Sequence, residues 1–388
     1  MIKVIKNGIV LTLENETIIK GDIVIEDNII KEVVDNYTGN YDEIIDAEGN
    51  VVMPGLINCH THLGMYNLRN TNDDFKLMDW LNNKIWPIEK DMTEEDIKDA
   101  TYLSCIEMIK TGTTCCADHY DASSNILKSI KNSKIRCLYT RFLMDEDGKA
   151  EERFNEFKRL YELEKDKNDL ITFSLGLHSL YSSSMEYIKK CSIYAKENNL
   201  PIHMHYMENE EEYNKVPKDA INLLLDNKLI LAHGIYIDNI EIFKNKDVSI
   251  VHNPISNLAL GCGFADIVKF KKNNINVSIG TDGVGSGYTL NMFKHLPFAY
   301  LLPKGLYKDP TVIKALDILR MATINGAKAL GINNLGLIKE NYKADLIIIK
   351  LIEKPINNYF VGLLTNDLEV LTTIVNGEVL MLNKELKI

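Results

Sequence analysis

Five positions in the middle of this 388-residue chain carry side chains that can bind a metal ion or transfer protons. They are His60, His62, His205, His233 and Asp282. Each follows a short apolar run that is typical of a buried β-strand. Alternate side chains of a strand face the same way, so that His60 and His62 point in one direction. Because the ends of parallel strands converge at the mouth of a barrel, the pattern predicts a single hydrolytic metal centre.

The predicted metal ligands are His60, His62, His205 and Asp282. Three imidazoles and one carboxylate suit zinc or another borderline divalent ion, and iron, manganese and nickel stay open. A His-x-His pair alone is weak evidence, because such histidines are often ordinary surface or core residues. Its position after a Pro-Gly pair and an apolar run favours metal binding.

Two further residues could complete the chemistry of such a site. Glu208 is the first residue of an acidic run that ordinarily would be a solvated surface. Because it lies nearest the strand end, we expect it to act as a proton shuttle. His233 could be a core histidine with its hydrogen bonds satisfied, but at a strand end beside a metal it is expected to polarise a bound water or an intermediate.

Strand-like and helix-like segments alternate through the centre of the chain, which predicts parallel βα units. The strand-like runs after His60 are residues 113–118, 137–141, 172–178, 201–205, 229–233, 248–253 and 277–282. Thr93 is expected to cap a helix over residues 93–109, and residues 315–330 are expected to form one amphipathic helix. Together with the run that ends at His60, eight strands can be counted. The predicted fold is therefore a (β/α)8 TIM barrel.

Both ends of the chain contain short strands and turns, such as the Asn376-Gly377 turn. Neither end is long enough to hold a core alone. We therefore predict that residues 1–54 and 336–388 together form a small β-sandwich domain. Residues 55–335 would then be the metal-dependent barrel domain.

The composition is that of a globular protein, with 45% hydrophobic and 26% charged residues. The net charge of -11 argues against non-specific binding to nucleic acid or to an anionic membrane. Local arginines could still bind an anionic ligand. The seven cysteines include no C-x-x-C pair, which indicates reduced thiols and a cytoplasmic protein. No apolar run approaches the roughly 20 residues that span a bilayer, so a membrane partner is not expected.

Several ordered motifs resemble those of the amidohydrolase superfamily. They are Gly55-Leu56-Ile57-Asn58-Cys59-His60-Thr61-His62, His205-x-x-Glu208, Ala232-His233, His252-Asn253-Pro254-x-Ser256-Asn257-x-x-Leu260-Gly261 and Gly280-Thr281-Asp282-Gly283. They extend over nearly the whole chain and are most similar to the aminohydrolase branch, whose members deaminate or dechlorinate nitrogen heterocycles.

Trp80-Leu81 and Trp86-Pro87-Ile88-Glu89 follow the histidine pair as they do in the 5′-methylthioadenosine/S-adenosylhomocysteine deaminases. This resemblance implies that Trp80 lines a nucleoside pocket and that Glu89 accepts hydrogen bonds from ribose hydroxyls. Without it, both tryptophans could be core aromatics and Glu89 could simply begin a helix.

The same resemblance extends to the residues that would hold the rest of the substrate. His178 corresponds to a substrate-contacting histidine. Arg141 and Arg153 correspond to two arginines that bind the carboxylate of the homocysteine tail, a task suited to guanidinium groups because they bind carboxylates in bidentate fashion. Arg153 could equally be a solvated helix residue.

The chain also departs from the pattern of these deaminases. Gly287-Tyr288 stands where two asparagines are common, and Cys262-Gly263 follows Leu260-Gly261. His119 and Tyr120 are bulky residues close to the expected pocket. These departures leave the metal ligands intact and put the exact substrate in question. The resemblance also implies that a two-metal site would need a carbamate bridge on a lysine after residues 172–176, and because no lysine follows them we expect one ion rather than two.

The resemblance implies hydrolytic deamination of an adenosine derivative such as S-adenosylhomocysteine or 5′-methylthioadenosine. A metal ion would lower the pKa of its bound water towards about 7. Asp282 would take the proton of that water and Glu208 would protonate purine N1. Hydroxide would then attack C6, His233 would stabilise the developing charge, and ammonia would leave.

Other functions stay open at this point. A deaminase or chlorohydrolase of a free base or triazine would leave Glu89, Arg141 and Arg153 idle. An amide hydrolase would use two metal ions, and a non-catalytic scaffold could share the barrel. The partner expected in each catalytic case is a small molecule. The resemblance also implies a homo-oligomer, in which one of the tail-binding arginines can come from a neighbouring subunit.

Overall fold

The computed structural model, which describes residues 1–72, 74–120, 124–353, 355 and 358–388, begins with five strands. They are β1 (Ile2–Leu11), β2 (Ile18–Glu26), β3 (Ile29–Val34), β4 (Glu43–Asp46) and β5 (Val51–Pro54). β1 pairs antiparallel with β2 and in parallel with β4 and β5. At the turn between β2 and β3, Asp27 has a φ of 56°, a left-handed conformation that aspartate tolerates.

Gly55 carries the chain from this sheet into a barrel. A Cβ atom at this position would lie 2.2 Å from the side chain of Thr114, so that only glycine fits. Eight parallel strands follow. They are β6 (Leu56–Thr61), β7 (Thr113–Asp118), β8 (Arg136–Leu143), β9 (Ile171–Leu177), β10 (Ile202–Tyr206), β11 (Leu229–His233), β12 (Val248–His252) and β13 (Asn276–Ile279). Each strand pairs in parallel with the next one along the chain.

The barrel is nearly closed where β13 approaches β6. The backbone N–H groups of Thr281 and Asp282 donate to the carbonyl of His60 at 3.2 and 3.0 Å. The Asn58 side chain donates to Thr281 Oγ1 at 2.8 Å and accepts from its backbone N–H at 3.1 Å. These bonds place Asp282 beside His60 at one mouth of the barrel.

Helices cover the barrel and follow most of its strands. They are α1 (Leu77–Trp80), α2 (Trp86–Asp91), α3 (Glu94–Lys110), α4 (Ser124–Ser133), α5 (Ala150–Glu164), α6 (Met185–Glu197), α7 (Glu210–Lys215), α8 (Pro254–Ala259), α9 (Ile267–Lys272), α10 (Val284–Gly287), α11 (Met292–Tyr307), α12 (Ala315–Met321), α13 (Ile324–Leu330) and α14 (Tyr359–Thr365). Shorter 3-10 turns span Leu63–Leu68, Ala220–Leu223 and Ile240–Phe243. Among the described residues, no helix combines the length and apolar character needed to cross a bilayer.

The helix predicted to follow Thr93 is confirmed, and Thr93 caps it in a reciprocal arrangement with Asp96. The prediction of a single helix over residues 315–330 is wrong, because α12 and α13 are separate. Thr323 adopts a non-helical conformation with φ -137° and ψ -99°. The break turns the carbonyl of Ala322 towards the barrel, where it accepts the backbone N–H of Ile57 at 2.8 Å.

A π-helical turn (Leu81–Ile85) joins α1 to α2, so that residues 77–91 form one continuous helical segment. Pro87 at the start of α2 cannot donate to the preceding turn and its ring would crowd the carbonyl four residues back. The wider turn before it relieves this conflict. The segment carries Trp80 and Glu89 over the mouth of the barrel.

The C-terminal strands complete the first sheet. They are β14 (Leu346–Leu351), β15 (Leu368–Val375), β16 (Glu378–Leu382) and β17 (Glu385–Leu386). β14 pairs with β5, and the nine-stranded sheet has the order β17-β16-β15-β14-β5-β1-β2-β3, with β4 on β1. The predicted fold class, a TIM barrel with a second β-structure built from both termini, is confirmed. The domain boundaries at residues 54/55 and 335/336 stay a prediction.

Candidate active site

The four predicted metal ligands lie together at one mouth of the barrel. Nε2 of His62 is 3.0 Å from Oδ1 of Asp282, and Nε2 of His60 is 3.5 Å from the same oxygen. Nε2 of His205 is 3.4 Å from Nε2 of His62. The ends of β6, β10 and β13 meet there, which brings residues far apart in sequence into one cluster.

Each of the three imidazoles is oriented by its second ring nitrogen. Nδ1 of His60 lies 2.9 Å from Nε2 of His203, and Nδ1 of His205 donates to the carbonyl of His178 at 3.0 Å. Nδ1 of His62 donates to the carbonyl of His119. The carbonyl partners fix the tautomers of His62 and His205, and all three contacts hold the ring planes so that Nε2 faces the common centre.

The spacing and the protonation of these histidines and of Asp282 are suited to binding a divalent metal ion. The ligand atoms of His60, His62 and His205 lie within 4.8 Å of one another, as do those of His60, His233 and Asp282. Nε2 of His60 is buried without a hydrogen-bond partner among the described residues, and burial lowers the pKa of His60 to about 4. Burial opposes ionisation of Asp282, but its contacts with His60 and His62 hold its pKa well below the usual value. Burial also lowers the pKa of His205, whereas Asp282 and Asp118 outweigh burial and raise the pKa of His62. Neutral imidazoles and an anionic carboxylate are the forms that bind such an ion, so His62 would give up its proton on binding.

His233 and Asp282 both have a left-handed backbone, with φ values of 75° and 63°. Such conformations are uncommon outside glycine and persist where the surrounding contacts hold them. Asp282 accepts hydrogen bonds from the Gly283 backbone at 2.8 Å and from Ser256 Oγ at 2.6 Å. Nδ1 of His233 donates to Asn257 Oδ1 at 2.8 Å. Its Nε2 has no partner within the described part of the chain.

The structure separates Glu208 from the acidic run that contains it. Glu208 is 8% exposed and lines the cavity above the metal ligands, with its carboxylate 3.7 Å from Nδ1 of His233. Glu210 and Glu211 are exposed. Glu212 is buried and accepts the backbone N–H of Glu208 at 2.8 Å. Burial, with the neighbouring charges of Asp282 and Glu212, raises the pKa of Glu208 well above its usual range, which favours the protonated form.

Three of the predicted substrate contacts line the same cavity, namely Trp80, Glu89 and His178. Glu89 accepts a hydrogen bond from the Tyr120 hydroxyl at 2.5 Å. Nδ1 of His178 lies 2.8 Å from Oγ of Ser182, and burial lowers the pKa of His178 to about 4. A neutral histidine and an oriented carboxylate are suited to contact a polar, uncharged ligand.

Arg141 and Arg153 are not among the described residues that line this cavity. The Arg153 guanidinium lies 5.2 Å from the ring centre of Phe142, which does line it. Both arginines are paired with acidic side chains. Nη1 of Arg141 is 2.7 Å from Glu156, and Arg153 donates two hydrogen bonds to Asp147 at 2.9 and 2.6 Å.

Several residues that shape the site were missed at the level of sequence. His203 was not singled out, although His203 and His205 alternate along their strand just as His60 and His62 do. Ser256 and Asn257 lay in a recognised motif without an assigned role. No local pattern indicates that Tyr120 reaches Glu89.

Comparisons with known proteins agree with this geometry. The amidohydrolase family model matches residues 51–380. A 5-methylthioadenosine/S-adenosylhomocysteine deaminase of Thermococcus onnurineus is 38% identical over 98% of this chain and 94% of its own length. A 5′-deoxyadenosine deaminase of Methanococcoides burtonii is 37% identical over 97% of this chain and 92% of its own.

Among solved structures, an adenosine deaminase from Xanthomonas campestris with bound zinc superimposes with a TM-score of 0.93. It is 27% identical and the match covers 99% of this chain and 94% of that one. A guanine deaminase from C. acetobutylicum has a TM-score of 0.86 at 23% identity, covering 98% of this chain and 100% of that one. The latter likeness concerns the fold alone.

Proposed function

This chain belongs to the amidohydrolase family, and we propose that it is a metal-dependent hydrolytic deaminase of adenosine derivatives. One observation carries the proposal. A set of metal donors, a buried carboxyl group and three candidate nucleoside contacts share one cavity at the mouth of the barrel. The relatives named as deaminases of methylthioadenosine, S-adenosylhomocysteine and 5′-deoxyadenosine support it at nearly full length.

We propose His60, His62, His205 and Asp282 as the ligands of a single divalent ion. Zinc is the ion we favour, on the strength of the nitrogen-rich donor set and of the zinc in the Xanthomonas campestris structure. When bound, such an ion acidifies a coordinated water to a pKa of about 7 and so supplies the nucleophile.

The proton transfers are assigned to Asp282 and Glu208, and His233 assists them. Asp282 accepts one proton of the attacking water and passes it to the leaving amino group, which departs as ammonia. Glu208 donates its proton to purine N1 as C6 is attacked, and it recovers a proton from the new hydroxyl group when the carbonyl forms. With its proton on Nδ1, as the contact with Asn257 requires, His233 directs the lone pair of its unpartnered Nε2 at the attacking water, where it would accept a hydrogen bond and polarise that water.

The remaining contacts would hold the nucleoside. Trp80 provides an apolar wall, Glu89 accepts hydrogen bonds from the ribose hydroxyls, and His178 contacts the purine. Arg141 and Arg153 would lie near the 5′ substituent, since Arg153 packs on Phe142, which lines the cavity. We further propose a cytoplasmic homo-oligomer. Its seven cysteines are all unpaired and buried, as is usual in a reducing compartment.

The test is ammonia release by zinc-loaded protein from S-adenosylhomocysteine, methylthioadenosine, 5′-deoxyadenosine, adenosine, guanine and cytosine. The proposal expects turnover of the adenosine set only. Turnover confined to the free bases would remove the nucleoside roles of Glu89 and Trp80, while leaving a metal-dependent hydrolase.

A further inference from the structure

The acidic partners of Arg141 and Arg153 bear on the kind of substrate tail that the site accepts. Both guanidinium groups are largely buried, at 8% and 6% exposure, and both are paired with carboxylates of this same chain. The contact between Arg153 and Asp147 uses two parallel hydrogen bonds, which is the geometry that a substrate carboxylate would itself need. Those hydrogen bonds also lower the pKa of Asp147, so that the pair is fully charged at neutral pH.

A carboxylate on the substrate would therefore share each guanidinium group with an internal carboxylate or displace it. Sharing would add a negative charge next to Asp147 and Glu156, and like charges at short range disfavour binding. An uncharged methylthio or methyl group imposes no such exchange. It needs only an apolar wall, which Phe142 provides between the cavity and Arg153.

We propose that this enzyme selects adenosine derivatives with a small uncharged 5′ substituent over those with an amino-acid tail, and that Asp147 and Glu156 set this preference. The inference rests on the proposed function, because it concerns the 5′ end of the same substrate pocket.

The experiment compares kcat/KM for methylthioadenosine and S-adenosylhomocysteine in each protein, so that the ratio is independent of the active fraction. The wild type is expected to favour methylthioadenosine by at least about tenfold, from the loss of one charge-assisted contact. Asp147→Asn and Glu156→Gln are each expected to shift the ratio towards S-adenosylhomocysteine by about tenfold. Glu162→Gln on the same helix α5, which removes a carboxylate paired with Lys165, should leave the ratio unchanged.

A wild-type preference for S-adenosylhomocysteine would overturn the inference, and so would variants with an unaltered ratio. A shift in the opposite direction would also overturn it, because it would mean that the two acids bind the α-ammonium group of the tail. Absence of turnover with every adenosine derivative would instead contradict the proposed function itself.

An independent observation concerns the outer face of α11. Phe298, Leu301 and Leu306 are 43%, 54% and 61% exposed, and Leu302 is half-buried. Their spacing places them on one stripe of the helix, together with Gly305. An apolar stripe this continuous is unusual on a surface that faces only water.

Gly305 has no explanation within a single copy of the chain. Its φ is not positive, and a Cβ atom there would meet nothing within 4 Å. Glycine inside a helix is destabilising by roughly 0.5–1 kcal/mol relative to alanine. Its position on the stripe leaves a gap that a side chain of another molecule can enter.

The stripe is complementary to itself in an antiparallel arrangement. A two-fold axis between Leu301 and Leu302 brings Phe298 opposite Gly305 of the partner subunit, because the paired residue numbers have a constant sum. A large side chain against a gap of matching size, repeated on both sides of the axis, is a feature of an isologous interface.

We infer that α11 binds α11 of a second copy of this chain about this axis. The pairing of Phe298 with Gly305 across the axis can be tested by filling the gap at Gly305. Gly305→Leu adds apolar surface but fills the gap that Phe298 needs, so that it is expected to turn a dimer into a monomer in sedimentation velocity. Non-specific association would be strengthened by the same change. A monomeric wild type, or a Gly305→Leu variant that stays dimeric, would overturn the inference.

A cysteine placed at the axis gives a second readout. All seven native cysteines are buried, so that Leu302→Cys introduces the accessible thiol. Mild oxidation is expected to convert most of this variant into a covalent dimer. Ile193→Cys, at a position 50% exposed on α6, is the control and should stay monomeric on a denaturing gel. Equal crosslinking of the two variants would contradict the inferred contact.

Discussion

At the scale of single residues, the site depends on carboxylates that are kept in different protonation states within one cavity. Asp282 is held ionised by its contacts with histidines, while Glu208 is buried and retains its proton. Two such groups in different environments can serve as base and acid in one reaction. These environments support the base and acid roles proposed for Asp282 and Glu208, whereas the neighbouring acidic residues Glu210 and Glu211 are exposed.

Glu208→Gln is expected to keep the metal and to lose about 10²–10⁴-fold in kcat, because the amide cannot supply the proton that N1 requires. Metal content is measured on the same sample by elemental analysis. Glu211→Gln removes an exposed charge three residues further along and should have normal turnover. Near-normal activity of Glu208→Gln would show that another group protonates the substrate.

Glu89→Ala is expected to lower kcat/KM for methylthioadenosine by about a hundredfold, since charged hydrogen bonds to two hydroxyls are lost. The matched substrate is the 2′,3′-dideoxy analogue, for which the wild type and the variant should be nearly equal. Tyr120→Phe should give a smaller loss in the same direction, because the Tyr120 hydroxyl orients the Glu89 carboxylate. An identical loss on both substrates would place Glu89 in a structural role.

At the scale of elements, strand ends deliver the ligands and a helix anchors the segments that follow them. Glu107 on α3 accepts hydrogen bonds from Leu290 N at 3.0 Å and Thr289 Oγ1 at 2.9 Å, and it is paired with Arg69. Arg69 in turn donates to the carbonyl of Tyr288 at 2.6 Å. Tyr288 is left-handed, with a φ of 63°, so that this turn needs an external anchor.

Glu107→Ala is expected to weaken metal binding by about tenfold, the lower end of effects seen for residues that support metal ligands. Loss of the anchor frees the segment that follows Asp282. Competition with a chelator measures the affinity directly. Glu95→Ala, at an exposed position of the same helix, is the control. Unchanged metal affinity in Glu107→Ala would mean that Glu107 contributes to the stability of the fold and not to metal binding.

The elements also show what sequence could predict. Seven strands after β6 follow the predicted runs closely, because apolar runs ending in polar residues are a local signal. The break in the helix at Ala322 and Thr323 has no such local signal, because it depends on the hydrogen bond between the carbonyl of Ala322 and the backbone N–H of Ile57, which lies far away in sequence. The pairing of Arg153 with Asp147 was likewise missed, because sequence spacing does not reveal which acid an arginine meets.

At the scale of the whole molecule, barrel and sheet are joined by a buried ion pair. Arg136 at the start of β8 donates to Asp345 at 3.0 and 2.9 Å, and the two residues are 1% and 2% exposed. Asp345 also accepts the backbone N–H of Asn376 at 2.8 Å. The charges of Arg136 and Asp345 therefore compensate each other across the junction between barrel and sheet.

Arg136→Leu should lower the free energy of unfolding by about 3–5 kcal/mol, because it leaves Asp345 charged and buried without its partner. Urea denaturation of the zinc-free protein measures the change. Glu378→Gln breaks an exposed ion pair with Lys134 across the same junction and should cost less than about 1 kcal/mol. The double variant Arg136→Leu with Asp345→Leu is expected to recover part of the loss, since no uncompensated charge remains. Equal effects of Arg136→Leu and Glu378→Gln would mean that water reaches the buried pair and that the junction is held by apolar packing instead.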